Sequence, residues 1–579
     1  SGDLCVVDLL KTGGEVTGAV AWHLGSGAPV VLSAKATVVA TGGLTTVPAP
    51  LNARSTRPGS GRTIARGYVF VDIDGTGLRC PRSRGIAGVI VSNGYDVVST
   101  SDDGRWALPV AVGDSVFVIK PAHWSPPLVA GVPAFHYHYQ PGGTPAHLGL
   151  RFAGVPATGA LPSSVDFPLR RAEEGNRFEA VLVADTQPGD IHELGYVRDD
   201  TLAAVQALKP AFAISHGDVM GDDLSLYPDY RRLIAGTGMP WHHCPGNHDM
   251  NLDSPSHRYA FETWKREIGP THYALQHAGA TFILLNNVVY YGAGKAPRGQ
   301  RGYRGQIGDK QLRFVENVLR HTPRNHLVVV SMHIPLMSFE DPASAADNTR
   351  DRRRLLEILS RHPRAVSFSG HSHTTEHHYF GRESGFTGAR PHHHHVLTAA
   401  CGSWWSGPRD HRGIPVSDSR DGSPRGVHML TVDGNAYATR FVPTGQPQGR
   451  QMRIMVSSRG CADPLIAFPL QVADAAAPTQ VTVDVFDGGP QSRVTLELEG
   501  TGLAAIAMVR TTTSDPHVVE MFSRHAELLK PWVKPAMSSH IWTAALPCGI
   551  GPGAYRLVAR ARDEYGREHT ARRTLEIAA

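Results

Sequence analysis

Five short polar clusters, each placed just after an apolar run, constrain this chain more than any other feature of its sequence. In order they are Asp185-Thr186-Gln187, Gly217-Asp218, Gly246-Asn247-His248-Asp249, Met332-His333-Ile334-Pro335 and Gly370-His371-Ser372-His373. Apolar runs at 178–184, 211–215, 282–285, 327–330 and 366–369 read as buried strands, and helix-period segments at 194–208, 226–234, 257–268, 309–320 and 348–361 alternate with them. That alternation predicts a layered α/β domain over residues 172–440 with its polar groups gathered at strand ends. Taken singly the clusters are ordinary, since Gly-Asp is commonplace and a lone His is usually a surface residue. Taken in this order, with imidazoles and carboxylates meeting at sheet edges, they point to a dinuclear metal site.

The order and wording of these motifs resemble the calcineurin-like metallophosphoesterases, whose pattern runs D-x-[HQ], GD, GNH[DE], H and GHxH. The likeness extends to Gly269-Pro270-Thr271-His272-Tyr273, Gly302-Tyr303-Arg304-Gly305 and Ala400-Cys401-Gly402-Ser403-Trp404-Trp405. It is nearest to the branch carrying an added N-terminal β-domain and an added C-terminal domain, and the Gln of the first motif is similar to that of one phosphatase member. The resemblance implies a multidomain α/β (α+β) protein with a four-layer α-β-β-α core flanked by β-sandwich-like domains. It further implies that one metal takes Asp185, Gln187, Asp218 and His373, and the other Asp218, Asn247, His333 and His371, with Asp218 bridging. His248 would be the general acid and Asp249 the carboxylate orienting it.

The activity implied is hydrolysis of a phosphoric mono- or diester, a Ser/Thr phosphatase among the options, with a metal-activated hydroxide attacking phosphorus. Two divalent ions, drawn from Mn, Fe, Mg or Zn, bring four positive charges against two aspartates and one hydroxide, which leaves a centre attractive to phosphate. An amide oxygen from Gln187 in place of an imidazole favours the harder ions over Zn. His216 and Arg304 are candidates for phosphate contact, and Trp404 and Trp405 for a cleft wall, with at least one of the two tryptophans expected in the core. The run His392 to His395 reads as a strand start with alternating faces, one member of which reaches the site.

The flanks have a different rhythm. Residues 62–170 hold short apolar runs broken by Asp-Gly and Asn-Gly turns, which predicts an antiparallel β-sandwich, and residues 445–579 return to strand-like alternation. Residues 1–45 resemble a hairpin fragment of the flavoprotein subunit of succinate dehydrogenases and fumarate reductases, ending in Ala40-Thr41-Gly42-Gly43, and residues 46–61 read as a linker. The fragment lacks the G-x-G-x-x-G turn that would hold a flavin pyrophosphate, so no flavin is expected.

Composition narrows the alternatives. A net charge of +5 spread over 579 residues gives little support to a nucleic-acid partner, and no apolar run approaches the roughly 20 residues of a membrane helix. Six cysteines without a C-x-x-C pair argue against zinc-finger or thioredoxin chemistry; Cys461 and Cys548 would pair only in an exported protein. No signal peptide is visible, and a periplasmic or secreted location stays open. Two other functions stand beside the phosphohydrolase: a binding protein for a glycan, envelope or protein partner on the same scaffold, opposed by the intact His248, and, more remotely, a flavin oxidoreductase. Substrate and oligomeric state are not encoded in these motifs.

Overall fold

A computed structural model describes residues 62–457 and 479–578, together with the strands Leu4–Thr12, Glu15–His23, Pro29–Ser33 and Leu470–Asp474. Contacts divide the chain into Ser1–Thr63 and Ile64–Ala579. The first unit holds the expected hairpin, Leu4–Thr12 against Glu15–His23, extended by Pro29–Ser33 into a three-stranded antiparallel sheet. The Ala40-Thr41-Gly42-Gly43 turn, the linker 46–61 and Cys461 lie outside the described residues.

Within the second unit, the N-terminal region is two four-stranded sheets closing on a core that includes Val69, Val91, Trp106, Leu108, Val116 and Phe167. It is the expected sandwich with one departure: Phe167–Arg171 pairs parallel with Thr63–Val71, so the sheets are not wholly antiparallel.

The central region is built on two sheets. One has five strands in the order Trp241–Cys244, Phe212–His216, Arg177–Val183, Gly426–Asp433, Ala436–Pro443, the first three parallel. The other has six, Tyr273–His277, Ala280–Leu284, Leu327–Ser331, Ala365–Ser369, His392–Val396, Glu376–Phe380, of which the middle four are parallel. The period of two along Arg177–Val183 explains the layering. Ala180 and Leu182 join Phe282, Leu284, Val329 and Phe368 between the sheets, while Val181 and Val183 face Leu194, Val205, Tyr227 and Trp264 on the helical side. On the other outer face, Asp309–Arg320 buries Leu312, Val315 and Val318, three residues apart, beside Leu355 and Leu359 of Arg352–Leu359. These are the four layers that the motif order implied.

Two helices are shorter or more broken than their periodicity predicts. The 257–268 segment divides at Phe261 into His257–Ala260 and Glu262–Glu267. The 348–361 segment is helical only over Arg352–Leu359, because Asn348 Nδ2 donates to the carbonyls of Asp341 and Ser344 and Thr349 Oγ1 to that of Pro335. Side chains that satisfy loop carbonyls in this way compete with helix formation.

The C-terminal region is a four-stranded and a five-stranded sheet around Val483, Leu496, Trp542 and Leu557. It also carries a helix, Pro516–Arg524, which strand-like alternation did not foretell. Its N-cap is Asp515, whose carboxylate accepts from Val518 N–H at 2.9 Å.

Candidate metal centre

Strand ends deliver the polar clusters to one place. Arg177–Val183 leads to Asp185, Phe212–His216 to Asp218, Trp241–Cys244 to Asn247, Leu327–Ser331 to His333 and Ala365–Ser369 to His371 and His373. Five of these side chains sit on left-handed backbone: φ is 51° at Asp185, 36° at Gln187, 48° at Asp218, 80° at His371 and 53° at His373. Such values are uncommon outside glycine, and their concentration here marks loops bent sharply to aim side chains inward. Two glycines show how close the approach is. A Cβ on Gly246 would lie 2.1 Å from Asp218 Oδ1, and one on Gly370 2.3 Å from Asp185 Oδ2.

Asp218, His333 and His371 bring their ligand atoms within 4.8 Å of one another. His333 Nε2 is 3.2 Å from Asp218 Oδ2, 3.1 Å from Asn247 Oδ1 and 3.1 Å from His371 Nδ1. Each imidazole is anchored through its other nitrogen. His333 Nδ1 lies 2.8 Å from the His216 carbonyl, His371 Nε2 3.2 Å from Asp347 Oδ1 and His373 Nδ1 2.5 Å from the Gly402 carbonyl. An N–H donated to each of those oxygens leaves His333 Nε2, His371 Nδ1 and His373 Nε2 as bare lone pairs facing inward. They face further acceptors. Asp185 Oδ1, buried and without a hydrogen-bond partner among the described residues, is 3.7 Å from His373 Nε2. A buried group so rich in acceptors and so poor in donors fits divalent cations.

Electrostatics agree. Burial pushes the Asp185 carboxyl up to about 7, and burial followed by the Asp218 charge raises Asp249 to about 6. Burial works the same way on Asp218, but His333 and His248 reverse it and hold that carboxyl below the usual range. For His333, burial is outweighed by Asp218 and the value rises to about 9, whereas burial takes His373 down to about 3. The cluster draws positive charge into itself, as protons when nothing else supplies it.

Several expected roles are redistributed. Asp249 does not touch His248. Its carboxylate accepts from Gly246 N–H (2.8 Å), Val219 N–H (3.2 Å), Met220 N–H (3.0 Å) and Tyr227 O–H (2.8 Å), tying together the two loops that carry Asp218 and Asn247. The carboxylate on His248 is that of Asp222, with Oδ1 2.8 Å from Nδ1, while His248 Nε2 stands 4.0 Å from Asp218 Oδ2. His216 is fully buried between the Val183 carbonyl and Ser331 Oγ, so it supports His333 through its own backbone and offers nothing to a substrate. Arg304 turns to Gln306 and the Tyr291 ring; it is Tyr303 that meets His371 edge-on at 5.9 Å, and Arg301 that pairs with Asp347 at 2.8 Å.

The remaining residues divide as their chemistry suggests. Gln187 donates from Nε2 to Asp218 Oδ2 at 2.6 Å with its amide oxygen toward Cys401 Sγ, so an oxygen ligand requires the amide to turn over. Trp404 stacks on His373 at 4.0 Å and meets the exposed Trp532 edge-on, whereas Trp405 is core and donates to the Thr186 carbonyl. The four histidines of His392–Val396 are all buried in the sheet, with His394 bonded to Ser367, Ser369 and the Leu336 N–H. Asp222, Asp347, Arg301 and Trp532 were not singled out from the sequence, and Tyr303 entered only as part of the Gly302-Tyr303-Arg304-Gly305 run. Beside Tyr303, only Asp222, on the same loop as Asp218, carried a local signal.

Three family profiles match: the N terminal of calcineurin-like phosphoesterase over residues 74–152, calcineurin-like phosphoesterase over 182–375, and the C terminal of calcineurin-like phosphoesterase over 394–569. Solved structures that resemble the chain include a dimetal phosphatase from Danio rerio, 15% identical over 46% of this chain and 97% of its own, with a TM-score of 0.32. A purple acid phosphatase from yellow lupin (Lupinus luteus) seeds is 11% identical over 62% of this chain and 67% of its own, with a TM-score of 0.34. No curated protein sequence matches. No helix among the described residues is long and apolar enough to cross a membrane.

Proposed function

From the premise that this chain belongs to the calcineurin-like phosphoesterase family, we propose that it hydrolyses a phosphoric ester at the Asp185 to His373 cluster with two divalent ions bound there. The observation that carries this reading is the meeting of Asp218, His333 and His371 beside the unpartnered Asp185 Oδ1. Asp185, Gln187, Asp218 and His373 would hold one ion, and Asp218, Asn247, His333 and His371 the other. Asp218 would be shared by the two, since its carboxylate faces both Gln187 and His333. When bound, such ions acidify water and neutralise a phosphoryl group.

The chain's own residues supply the rest. Asp222 fixes the His248 ring through Nδ1, which leaves Nε2–H on the side of the cluster, 4.0 Å from Asp218 Oδ2, where a leaving oxygen would be protonated. Burial opposes charge on His248, but Asp218 and Asp222 outweigh it and lift its value to about 9. Cations bound at Asp218 would offset that residue's share, so Asp222 is the lasting partner. Asp347 holds His371 and is itself paired with Arg301, whose side chain is 57% exposed and placed to meet an anionic substrate. Trp404 and Trp532 form an aromatic edge beside His373, suited to an organic group on the ester.

The test uses metal-free protein reloaded with Mn, Fe, Zn or Mg and assayed on nitrophenyl mono- and diesters. Hydrolysis is expected to follow metal loading, and Asp218→Asn to lose both the rate and most bound metal. Two ions per chain and an undiminished rate in Asp218→Asn would remove the bridging assignment.

A further inference from the structure

A second set of imidazoles lies apart from this cluster. Alternation along His392–Val396 sends His392 and His394 to one face, where both bond Ser367 Oγ at 2.8 Å. On the other face His395 stacks on His377, its register partner in Glu376–Phe380, with ring centroids 4.0 Å apart. Both rings aim Nε2 at one carboxylate oxygen. Asp487 Oδ1 is 3.2 Å from His377 Nε2 and 3.0 Å from His395 Nε2. From the five-stranded sheet, His428 Nδ1 faces Asp487 Oδ2 at 3.7 Å. All three rings are fully buried, and Asp487 has an 11% exposed side chain.

Hydrogen bonding accounts for only part of this arrangement. Only His377 makes a hydrogen bond to Asp487; His395 Nε2 and His428 Nδ1 have no hydrogen-bond partner among the described residues, although both face the carboxylate. The outward nitrogens, by contrast, are provided for. His377 Nδ1 is 2.9 Å from His393 Nε2, whose Nδ1 is in turn 2.8 Å from Tyr437 Oη, and His395 Nδ1 is 3.5 Å from Thr439 Oγ1. Donation outward along those contacts, in place of the His377 Nε2–H that bonds Asp487, frees the inward nitrogens of His377 and His395 as lone pairs. Those two lone pairs and a carboxylate turned on one another in a buried space make a donor set for a cation.

We propose that His377, His395 and Asp487 hold a further divalent ion, separate from the dinuclear cluster, with His428 the nearest group for a fourth position. Imidazole nitrogens with one carboxylate suit zinc and its borderline neighbours rather than Mg or Ca. Its role is structural, because the ligands are buried and come from different parts of the molecule. His377 and His395 belong to the six-stranded sheet, and Asp487 to the turn after Gln480–Val485. The ion would fasten the C-terminal β-region to the edge of the core. Without one, Asp487 serves only as the counter-charge of a protonated His377.

Crystals of the unmodified chain prepared with zinc, measured on both sides of the zinc absorption edge, decide between the two. An anomalous peak among His377 Nε2, His395 Nε2 and Asp487 is expected, and its absence overturns the proposal even if every variant misfolds. In solution, zinc per chain should fall by one in His395→Gln and in Asp487→Asn, while the hydrolytic rate of the reloaded protein persists. An unchanged zinc count in both variants would also overturn it. Loss of the dinuclear ions in Asp218→Asn bears on the proposed hydrolysis and not on this site.

Discussion

At the scale of single residues, Asp222, the carboxylate four residues beyond Asp218, changes how the proposed acid, His248, is held. Since Asp222 holds His248 in its charged form, Asp222→Asn should lower the His248 value. A general acid acts when protonated, so the rate is lost as pH rises through that value, and the alkaline limb of the pH profile should move to lower pH in the variant. His248→Ala should cost about 10²- to 10⁴-fold, less for nitrophenolate than for an alkoxide leaving group. An alkaline limb that stays in place in Asp222→Asn would mean that another group carries the proton. Asp249 belongs to a different category. It accepts three hydrogen bonds from two loops and a fourth from Tyr227 of the helix Tyr227–Ala235, so Asp249→Ala strands buried donors and should lower stability by roughly 3 kcal/mol or more. Denaturant titration checks this; full stability with a slowed rate would return Asp249 to a purely catalytic role.

At the scale of elements, the site depends on how closely strand-end loops approach one another. Gly370 ends the Ala365–Ser369 strand, and a methyl group there would stand 2.3 Å from Asp185 Oδ2, which accepts the His371 N–H at 2.9 Å. Gly370→Ala should therefore push the His371 to His373 loop off Asp185 and weaken metal binding, with the sheets intact. Metal content after dialysis, read beside the circular dichroism spectrum, tests it: unaltered content would show that the loop can yield. The same strand-end logic explains the exchange of Arg304 for Tyr303. Neighbours on an extended segment point to opposite faces, so a one-residue difference decides which side chain meets His371.

At the scale of the whole second unit, the C-terminal region meets the core through buried charge as well as through apolar contacts such as Phe441 against Phe486. His540 lies between Asp421 (2.9 Å) and Asp484 (2.5 Å), and Arg453 pairs with Asp418 at 2.9 Å. Burial opposes a charged His540, but Asp484 and Asp421 outweigh it and hold its value well above the ordinary 6.5. The stability from this contact is full below that ordinary value and is lost as pH climbs through the raised one. The melting-temperature gap between the unmodified chain and His540→Gln should accordingly be widest below that ordinary value and narrow as pH rises above it. A gap independent of pH would mean that His540 is neutral and acts through shape.

What the sequence by itself determined was the set of groups bound to their neighbours along the chain: alternating burial in the strands, the helix at Asp309–Arg320, and the polar clusters that strand ends must carry to a sheet edge. Periodicity and turn chemistry are local, so they survive without knowledge of the fold. The partners of those groups were decided only by tertiary structure. Asp222 against His248, Asp347 against His371, Trp532 beside Trp404 and Asp487 against His377 and His395 join residues 24 to 128 positions apart or on separate loops, and no spacing rule links them. The misassignment of Asp249 has the same origin. Adjacency to His248 in sequence suggested contact, but the tight Gly246 to Asp249 turn directs the two side chains to opposite sides, one into the loop framework and one toward the open site.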